Sequence, residues 1–364
     1  MRTTWIIVSL FLLFECSAKA DDLKVGWIGP LTGGAAILGV DAVPAIEMAV
    51  DEINSNSKQK IKLFIEDDSY ETHKTVSAYQ SLVHQKNVKV LFVFSYGGLM
   101  ALASRAQADG VLLIDTLDCD QKIAALPENT ICISKSTENL GETIAKAAVK
   151  TGNLPGGIIY YESDPFMGTV GTAAINYLKN FDITAVPYAE GYAAGTTDFR
   201  SMLLRAHAKG AKSLFFFGYD EMGLAMKQAR EIGLKENYFA LNTVSSPGFK
   251  IAAQGTEIGS IVATFRAPRT KDYEIFSNRF KAKTGREVAF EVSTFPSYDV
   301  VKLIGTTLPI EGNSAEAVQK IKKMLYGVQN YQGLSGSITV DADGACRSIK
   351  NSAFRLEKNE MIPL

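Results

Sequence analysis

The sequence predicts an α/β fold in which two doubly wound α/β lobes are joined by a hinge that the chain crosses three times. Segments with strand and helix patterns alternate from Lys24 to Ile133, and the same alternation starts again at Glu138. Three helices and a β-rich tail follow these two units. Such alternation is typical of parallel sheets with helices on both faces, and its restart indicates a second sheet.

The opening unit, Lys24–Asn54, consists of a strand, a glycine-rich loop and an amphipathic helix. Val25–Ile28 is a short apolar run, Gly33 and Gly34 interrupt regular structure, and the helix then places on one face Ile46, Ala49, Val50 and Ile53. The glycines form neither G-x-G-x-x-G nor a G-x-x-x-x-G-K-[ST] loop, which argues against a nucleotide site. Ligands bind at the carboxyl ends of parallel strands, so this loop is the first place to expect function.

The rest of the first lobe continues the alternation. We predict helices at Thr72–Lys86 and Leu99–Ala108, with Gly97 and Gly98 ending the strand before the second helix. The predicted strands are Lys60–Asp67, Val88–Phe94 and Val111–Ile114, followed by a short extended piece, Thr130–Ile133, that leaves the lobe.

The second lobe repeats the pattern without detectable identity to the first. Its predicted helices are Glu138–Lys150, Phe166–Asn180, a helix capped by Thr197-Asp198, and Glu221–Ile232. Its predicted strands are Gly157–Tyr161, Ile183–Tyr188, Ser213–Phe217, Tyr238–Leu241 and Ile258–Phe265.

The C-terminal part is expected to return to the first lobe and then cross back. Three helices, at Asp272–Thr284, Val292–Leu308 and Ser314–Tyr326, precede a tail with strands at Ser335–Val340 and Ala353–Glu357. We assign residues 21–135 and 265–333 to lobe 1, and residues 136–264 and 334–364 to lobe 2. Multiple crossings make a hinge with a cleft between the lobes, which is suited to enclosing a small molecule.

Residues 1–20 have the pattern of a secretory signal peptide. Trp5–Phe14 is an apolar core too short to span a bilayer, and Ala18-Lys19-Ala20 is a cleavage signal. We therefore expect export to the periplasm with cleavage after Ala20. Cys16 makes a lipid anchor the alternative, although Glu15 before it does not suit a lipid-attachment signal.

Composition and motifs exclude several classes of function. The formal net charge is only −1, which argues against nucleic acid or an anionic membrane surface as a partner. His73, His84 and His207 all lie in predicted helices rather than in strand-end loops. The sequence contains neither a G-x-S-x-G elbow nor an H-E-x-x-H motif. Without a suitable base the sequence does not indicate an enzyme, and we expect no catalytic residue.

Three cysteines follow the predicted signal peptide: Cys119, Cys132 and Cys346. Export permits a disulfide, and Cys119–Cys132 would close a short local loop. Three buried or free thiols are the alternative, and both interpretations stay open. A metal site is not expected, because no C-x-x-C pair or histidine cluster accompanies these residues.

Three stretches of this sequence resemble one known family. The opening IGPLTGGAAILGVDAVPAIEMAVDEIN, the ending YQGLSGSITVDADG and the segment FFFGYDEMGLAMKQAREIGLK are similar to the periplasmic type I solute-binding proteins of ABC importers. The leucine/isoleucine/valine-binding protein is the familiar member of that family. The order of elements matches it from Lys24 to Ile362. The resemblance implies the periplasmic binding protein type I fold, a small-molecule solute, no cofactor, and importer permease subunits as partners.

The resemblance implies ligand contacts in the first lobe at three loops. Leu38 stands where the family often has an aromatic residue before a glycine. The stretch that matches the family's α-carboxylate site comprises Ser95, Tyr96 and Gly97, although glycine there could simply let a strand turn into a helix. After the fourth strand the family has small residues and a threonine, whereas this chain has Asp118 and Cys119. Asp118 would repel a carboxylate unless it is neutralised or points away from the cleft.

In the second lobe the resemblance implies three further contacts. Phe166, or Met167 if the alignment slips by one residue, falls where an aromatic residue covers the ligand. Tyr219 matches a second contact aromatic. Asn242 replaces the acid that binds the ammonium group in amino-acid receptors. Losing that acid while gaining Asp118 suggests a hypothesis of altered ligand chemistry, in which a cationic or multiply hydroxylated solute becomes attractive.

The function expected from the sequence is therefore a periplasmic substrate-binding component of an ABC transporter, acting as a monomer. It would capture a small polar solute, an amino acid or a related compound, in the cleft between its lobes. The alternative is a ligand-sensing receptor protein that presents the bound solute to a membrane sensor. The identity of the solute stays open at this stage.

Overall fold

The first lobe is built on a five-stranded parallel sheet. The structure is a computed structural model that describes residues 21–358 and 360–364. The strand order is β2-β1-β3-β4-β5, and every neighbouring pair is parallel. The strands are β1 (Leu23–Gly29), β2 (Ile61–Asp67), β3 (Val90–Val93), β4 (Leu112–Asp115) and β5 (Thr130–Cys132).

The second lobe is built on a seven-stranded sheet, which includes the end of the chain. Five strands come from the middle of the sequence: β6 (Gly156–Tyr161), β7 (Tyr188–Tyr192), β8 (Ser213–Phe217), β9 (Asn237–Leu241) and β10 (Ile261–Thr264). A separate hairpin, β11 (Tyr331–Gly333) and β12 (Gly336–Ile338), precedes the last two strands, β13 (Ser352–Leu356) and β14 (Met361–Pro363). The order is β14-β13-β10-β9-β8-β6-β7, with β13 antiparallel to both neighbours.

Helices cover both sheets. Four of the described α-helices lie within the first 130 residues: α1 (Ala42–Asn56), α2 (Thr72–Tyr79), α3 (Tyr96–Asp109) and α4 (Gln121–Ala124). Five accompany the second sheet: α5 (Thr137–Lys150), α6 (Pro165–Phe181), α7 (Arg200–Ala208), α8 (Glu221–Glu231) and α9 (Pro247–Ala253). Three complete the set: α10 (Lys271–Thr284), α11 (Glu291–Gly305) and α12 (Ala315–Tyr326). As expected, α11 packs against α1 in the first lobe.

Local sequence explains where these elements begin. Strands β3 and β8 are apolar at every or nearly every position and buried throughout, as expected for parallel strands covered on both faces. Ser95, Ser136 and Asp164 each accept a backbone N–H at the start of a helix, for α3, α5 and α6 respectively. These caps point the helices away from the carboxyl ends of the preceding strands.

Several predicted elements differ from the structure. The strand predicted at Ile183–Tyr188 is wrong, because β7 begins where that prediction ended. Ile183 is 75% exposed, and Asp182 holds a turn by accepting the N–H of Thr184 at 2.8 Å. Gly97 and Gly98 do not separate strand from helix, since they form the first turn of α3.

Other differences lie at the edges of elements. The piece at Thr130–Ile133 is not simply an exit, because its residues form the fifth strand of the first sheet. Phe199 rather than Thr197-Asp198 occupies the cap position of α7, but the Asp198 carboxylate accepts the N–H of Arg200, the first residue of that helix, at 3.1 Å. The sequence analysis did not anticipate α9, β11 or β14.

The tail passes beside the first lobe before it reaches the second sheet. Ala345 forms a bridge with Cys132, and the N–H of Cys346 donates to the Cys132 carbonyl at 2.9 Å. Only after this contact does the chain enter β13. The predicted residue boundaries of the two lobes stay a prediction. No helix in the described part of the chain is long and apolar enough to cross a membrane, and the predicted signal peptide lies outside the described residues.

Candidate functional site

A small cavity lies where the two lobes meet. Its lining comes mainly from loops at the carboxyl ends of strands in both sheets: Leu38, Tyr70, Leu117, Asp118, Lys135, Phe166, Met167, Tyr219, Asn242, Thr243 and Phe290. The space open to the centre of a water-sized sphere is about 10 Å³, which is room for about one water molecule. A larger guest therefore enters only when the lobes part or the lining side chains rearrange.

Larger grooves exist on the surface, but they do not share this position. One of about 540 Å³ lies between α1 and α11, and one of about 400 Å³ lies beside α12. Both are open to solvent and are lined by helices that pack on the first sheet. They lack contributions from strand ends of two lobes. A third groove, of about 480 Å³, is lined by segments of both lobes, including Val244 and Ala289, but by no strand-end residue of the first sheet. The small interlobe cavity is therefore the better candidate site.

The first-lobe wall of the cavity carries a buried ion pair. Lys135 Nζ lies 2.6 Å from Asp118 Oδ1, and each side chain is only 2% exposed. Lys135 Nζ also donates to the Leu117 carbonyl. Burial raises the pKa of Asp118, while the positive charge of Lys135 opposes that rise. Asp118 thus faces the cleft, and Lys135 neutralises it.

Backbone hydrogen bonds hold this pair in place. The Asp115 carboxylate accepts the N–H groups of Leu117 and Asp118 at 2.7 and 3.0 Å, which turns the loop after β4 towards the cavity. The N–H of Cys119 donates to the Lys135 carbonyl at 3.0 Å, so this loop is tied to the segment that carries the lysine. Burial and the neighbouring charge of Asp118 hold the pKa of Asp115 well above its usual value.

A buried carboxylate of a different kind, Asp164, lies directly behind the second-lobe wall and bonds to two residues that line the cavity. Asp164 caps α6 and accepts the N–H of Phe166 at 3.0 Å, and its other oxygen accepts the Tyr219 hydroxyl at 2.8 Å. Its side chain contacts no lysine or arginine at ion-pair distance among the described residues. Burial raises the pKa of Asp164 to about 6. Near neutral pH it is a largely ionised acid held only by neutral donors.

Tyr70 reaches from the first lobe to this second-lobe acid. Its ring packs edge-to-face on Tyr219, with centroids 5.6 Å apart. Its hydroxyl is closed off from solvent and makes no hydrogen bond of normal geometry in the described part of the chain, but the Tyr219 hydroxyl lies close enough to act on its pKa. Burial, followed by the charges of Asp164, Asp118 and Asp115, holds the pKa of Tyr70 well above its usual value. A hydroxyl without a well-formed hydrogen bond therefore lies near three buried acids.

Aromatic rings complete the junction between the lobes. The Lys135 ammonium lies 5.4 Å from the centroid of the Phe166 ring, a cation–π distance across the cleft. Tyr96 also approaches Phe166, with centroids 6.4 Å apart, and its hydroxyl donates to Asp120 at 2.6 Å. Phe290 is positioned by Asp41, whose carboxylate accepts its N–H at 2.9 Å.

The structure places the nine predicted contact residues in two groups. On the cavity lie Leu38, Asp118, Phe166, Tyr219 and Asn242. Behind it lie Ser95, which caps α3, Tyr96, which bonds to Asp120, Gly97, whose α-carbon packs close to Thr72, and Cys119. Their roles as ligand contacts stay a prediction.

Sequence reasoning missed Tyr70, Leu117, Lys135, Thr243 and Phe290. Tyr70 had a usable signal, because it closely follows the end of β2 and strand-end loops were the chosen search region. Lys135 had none, since a lone lysine in a connecting segment is normally solvent-exposed.

The cysteine pairing is resolved in favour of the disulfide. Cys119 and Cys132 are bonded, with Cα atoms 5.1 Å apart, and Cys346 is a buried free thiol. The bond joins the loop that follows Asp118 to β5. In the described residues no group of three histidine, cysteine or acidic side chains is arranged to hold a metal ion.

The histidines lie away from the cavity. The His207 side chain is 58% exposed and pairs with Glu236 at 2.6 Å, and the His73 side chain is 75% exposed near Glu71. His84 is partly exposed beside Asp109 and Arg105. None of the three lines the interlobe cavity.

Comparison with known proteins gives a consistent result. The family model for periplasmic binding protein matches residues 22–348. The Leu/Ile/Val-binding protein homolog 3 of Brucella melitensis is 22% identical over 357 residues, covering 96% of this chain and 95% of that protein.

Solved structures share the fold. A leucine binding protein from Thermotoga maritima has a TM-score of 0.81 at 18% identity, covering 94% of this chain and 97% of the other. The branched-chain amino acid transporter substrate binding protein of Streptococcus pneumoniae, solved with isoleucine, has a TM-score of 0.80 at 19% identity, with coverage of 94% and 98%. Two lobes, strand-end loops facing one cleft and the matching family model lead to one conclusion. The chain belongs to the type I periplasmic binding proteins of the Leu/Ile/Val-binding family, which are substrate-binding proteins and not enzymes.

Proposed function

We propose that this protein captures a small polar solute between its lobes and delivers it to the permease subunits of an ABC importer. The supporting observation is the interlobe cavity, because its lining combines strand-end side chains of both sheets. A solute that touches both walls binds the closed arrangement better than the open one. That difference in affinity is what shifts a hinge equilibrium towards closure.

Export to the periplasm fits this role and is part of the proposal. The signal pattern in residues 1–20 would direct the chain to the compartment where importers collect solutes. The Cys119–Cys132 disulfide is compatible with that oxidising compartment. Action as a monomer also belongs to the proposal, with each chain carrying its own complete cleft.

Solution scattering combined with a thermal-shift screen tests the proposal. The mature chain, beginning at Asp21, is mixed with a library of amino acids, amines, amides and organic acids. A true solute raises the melting temperature because it binds only the folded form, and it reduces the radius of gyration as the lobes close. A library that changes neither quantity contradicts the proposed function.

A matched pair of variants on one helix tests the location of the site. Phe166 lies on the cavity at the start of α6, whereas Phe181 lies at the end of the same helix and is 61% exposed. Phe166→Ala should weaken the solute found in the screen at least tenfold, since it removes a wall of the cavity, an effect of about 1.4 kcal/mol or more. Phe181→Ala should leave affinity unchanged. Equal effects of the two substitutions would move the site elsewhere.

A further inference from the structure

The two walls of the cavity differ in how their charge is compensated. On the first-lobe wall Asp118 has its own counter-ion, Lys135, at 2.6 Å. Behind the second-lobe wall Asp164 has only the Tyr219 hydroxyl and the Phe166 N–H as partners. Asp115, buried behind Asp118, also accepts only N–H groups. The described residues around the cavity thus include three buried acids but a single ammonium group, and that group is already paired with Asp118.

The surroundings of Asp164 are suited to a positive charge. Tyr70 and Tyr219 bring ring faces and edges to the cavity, and Phe166 offers its face from the same lobe as Asp164. Aromatic faces attract ammonium groups, and the attraction strengthens when water is excluded. The unpartnered Tyr70 hydroxyl adds an oxygen that can accept a hydrogen bond from an N–H donor.

The chain itself already shows how this cavity holds an ammonium group. Lys135 is bound there by one carboxylate, one backbone carbonyl and the face of Phe166. A carboxylate and aromatic rings also occur together around Asp164. Tyr219 of the second lobe donates to this acid, Tyr70 of the first lobe packs on Tyr219, and no described lysine or arginine lies within ion-pair distance of Asp164. This combination of aromatic rings and a carboxylate without a counter-ion is what carries the inference.

We infer that the solute of this protein is an organic cation, whose amine binds between Tyr70 and Tyr219 with Asp164 as its counter-charge. This rests on the proposed function and names the chemical class of its solute. A net anion is disfavoured, because Asp164 has no counter-ion and the one lysine beside the cavity is already paired with Asp118. The Asn242 amide, which also lines the cavity, is left to bind a neutral part of the solute.

A set of compounds with one carbon skeleton and different charges tests the inference. Isopentylamine is a cation, leucine a zwitterion, isocaproate an anion and isopentanol neutral, and choline and putrescine extend the cationic arm. Calorimetric titration of the mature wild-type chain at pH 7.5 should show binding by at least one cation, at least ~10-fold tighter than leucine and isocaproate. Absence of binding by all three cations overturns the inference.

The outcomes separate this inference from the proposed function. Tight binding of leucine or isocaproate without any cation overturns the charge class and leaves solute capture in place. If no compound of any charge binds, and scattering is also unchanged across the wider library, the proposed function fails together with the inference.

Two substitutions locate the cation. Asp164→Asn should weaken the bound cation at least ~10-fold, whereas Asp182→Asn, at the exposed other end of α6, should not change it. Tyr70→Phe removes a hydroxyl that makes no hydrogen bond in the described chain, so folding should be unaffected while a primary amine loses affinity. Unchanged affinity in both Asp164→Asn and Tyr70→Phe overturns the placement of the amine.

Discussion

Each wall of the cleft is associated with a buried acid, but the two acids are stabilised by different partners. The first-lobe wall pairs Asp118 with Lys135, and both side chains are 2% exposed. The second-lobe wall holds Asp164 with a phenol and a backbone N–H. A buried ion pair is costly to break, but its two charges compensate each other. A buried ionised acid that has only neutral donors has no such compensation, so a nearby positive charge would stabilise it. We therefore assign the ion pair of the first wall to the fold, and our proposal assigns the second wall to the solute.

The largest expected effect on the free energy of unfolding comes from breaking the ion pair of the first-lobe wall. Lys135→Met leaves Asp118 buried without its counter-ion, which should lower the free energy of unfolding by roughly 3–5 kcal/mol. Urea denaturation at pH 7.5 measures this change. Lys122→Met is the matched control, because Lys122 is exposed and donates only to Thr169 at 3.3 Å. A loss under about 1 kcal/mol for Lys135→Met would show that the pair is not structural.

The disulfide beside that pair should have the next largest effect. Replacing Cys119 and Cys132 by serine together frees a loop of 13 residues' separation, for which chain entropy predicts a loss of about 3 kcal/mol. Denaturation of the double variant, compared with wild type under non-reducing conditions, gives the value. Cys346→Ser, at a free thiol, shows what removal of a buried sulfur costs by itself. An equal loss in both variants would assign the effect to packing.

The acid of the second-lobe side should make the stability of the protein depend on pH. The pKa of Asp164 is raised by burial to about 6, so the folded state binds its proton more tightly than the unfolded state. Wild-type stability should therefore fall as pH rises from about 4 to about 6, by at most about 3 kcal/mol from this group. Asp164→Asn removes that contribution.

The measurement for this prediction is a difference curve. Free energies of unfolding for Asp164→Asn and wild type are compared from pH 4 to pH 7.5, and the variant should gain relative to wild type as pH rises. Taking the difference cancels Asp299, whose pKa burial also raises to about 6. Parallel curves for the two proteins would mean that Asp164 is not held as described.

The smallest expected effect on stability comes from removing the hydroxyl group that donates a hydrogen bond to Asp164. Tyr219→Phe deprives Asp164 of its hydroxyl donor and should cost about 1–2 kcal/mol at pH 7.5, where the acid is ionised. The cost should shrink at pH 5, where the carboxyl is largely protonated. Urea denaturation at the two pH values measures both. A cost independent of pH would point to lost packing of the ring instead.

The order of elements was predictable wherever burial and turn residues agree. β8 was predicted to the residue, because Ser213–Phe217 is buried on both faces and Gly218 follows it directly. β7 was misplaced, because Ile183 has a strand-like side chain but lies 75% exposed in a turn held by Asp182. A single sequence gives the identity of each side chain, but it does not show whether that side chain will be buried against other residues or exposed to solvent.

The site was predictable only in part, for a related reason. The resemblance to the solute-binding family, whose ligand contacts lie in strand-end loops, pointed to Asp118, Phe166 and Tyr219, and all three line the cavity. The partner of Asp118 was not found, because Lys135 lies 17 residues further along and meets it only after the chain has formed β5. Contacts of this kind depend on tertiary packing and leave no local pattern.

The bonds around Lys135 also determine where the molecule can bend. Up to this residue, two hydrogen bonds hold the first crossing segment to the first lobe. The Ser134 hydroxyl donates to the Leu117 carbonyl at 2.8 Å, and the Cys119 N–H donates to the Lys135 carbonyl at 3.0 Å. Directly afterwards, Ser136 caps α5 of the second lobe. We therefore expect the pivot of this crossing at the bonds between Lys135 and Ser136, with the Lys135 ammonium group remaining attached to the first lobe when the proposed opening separates the lobes.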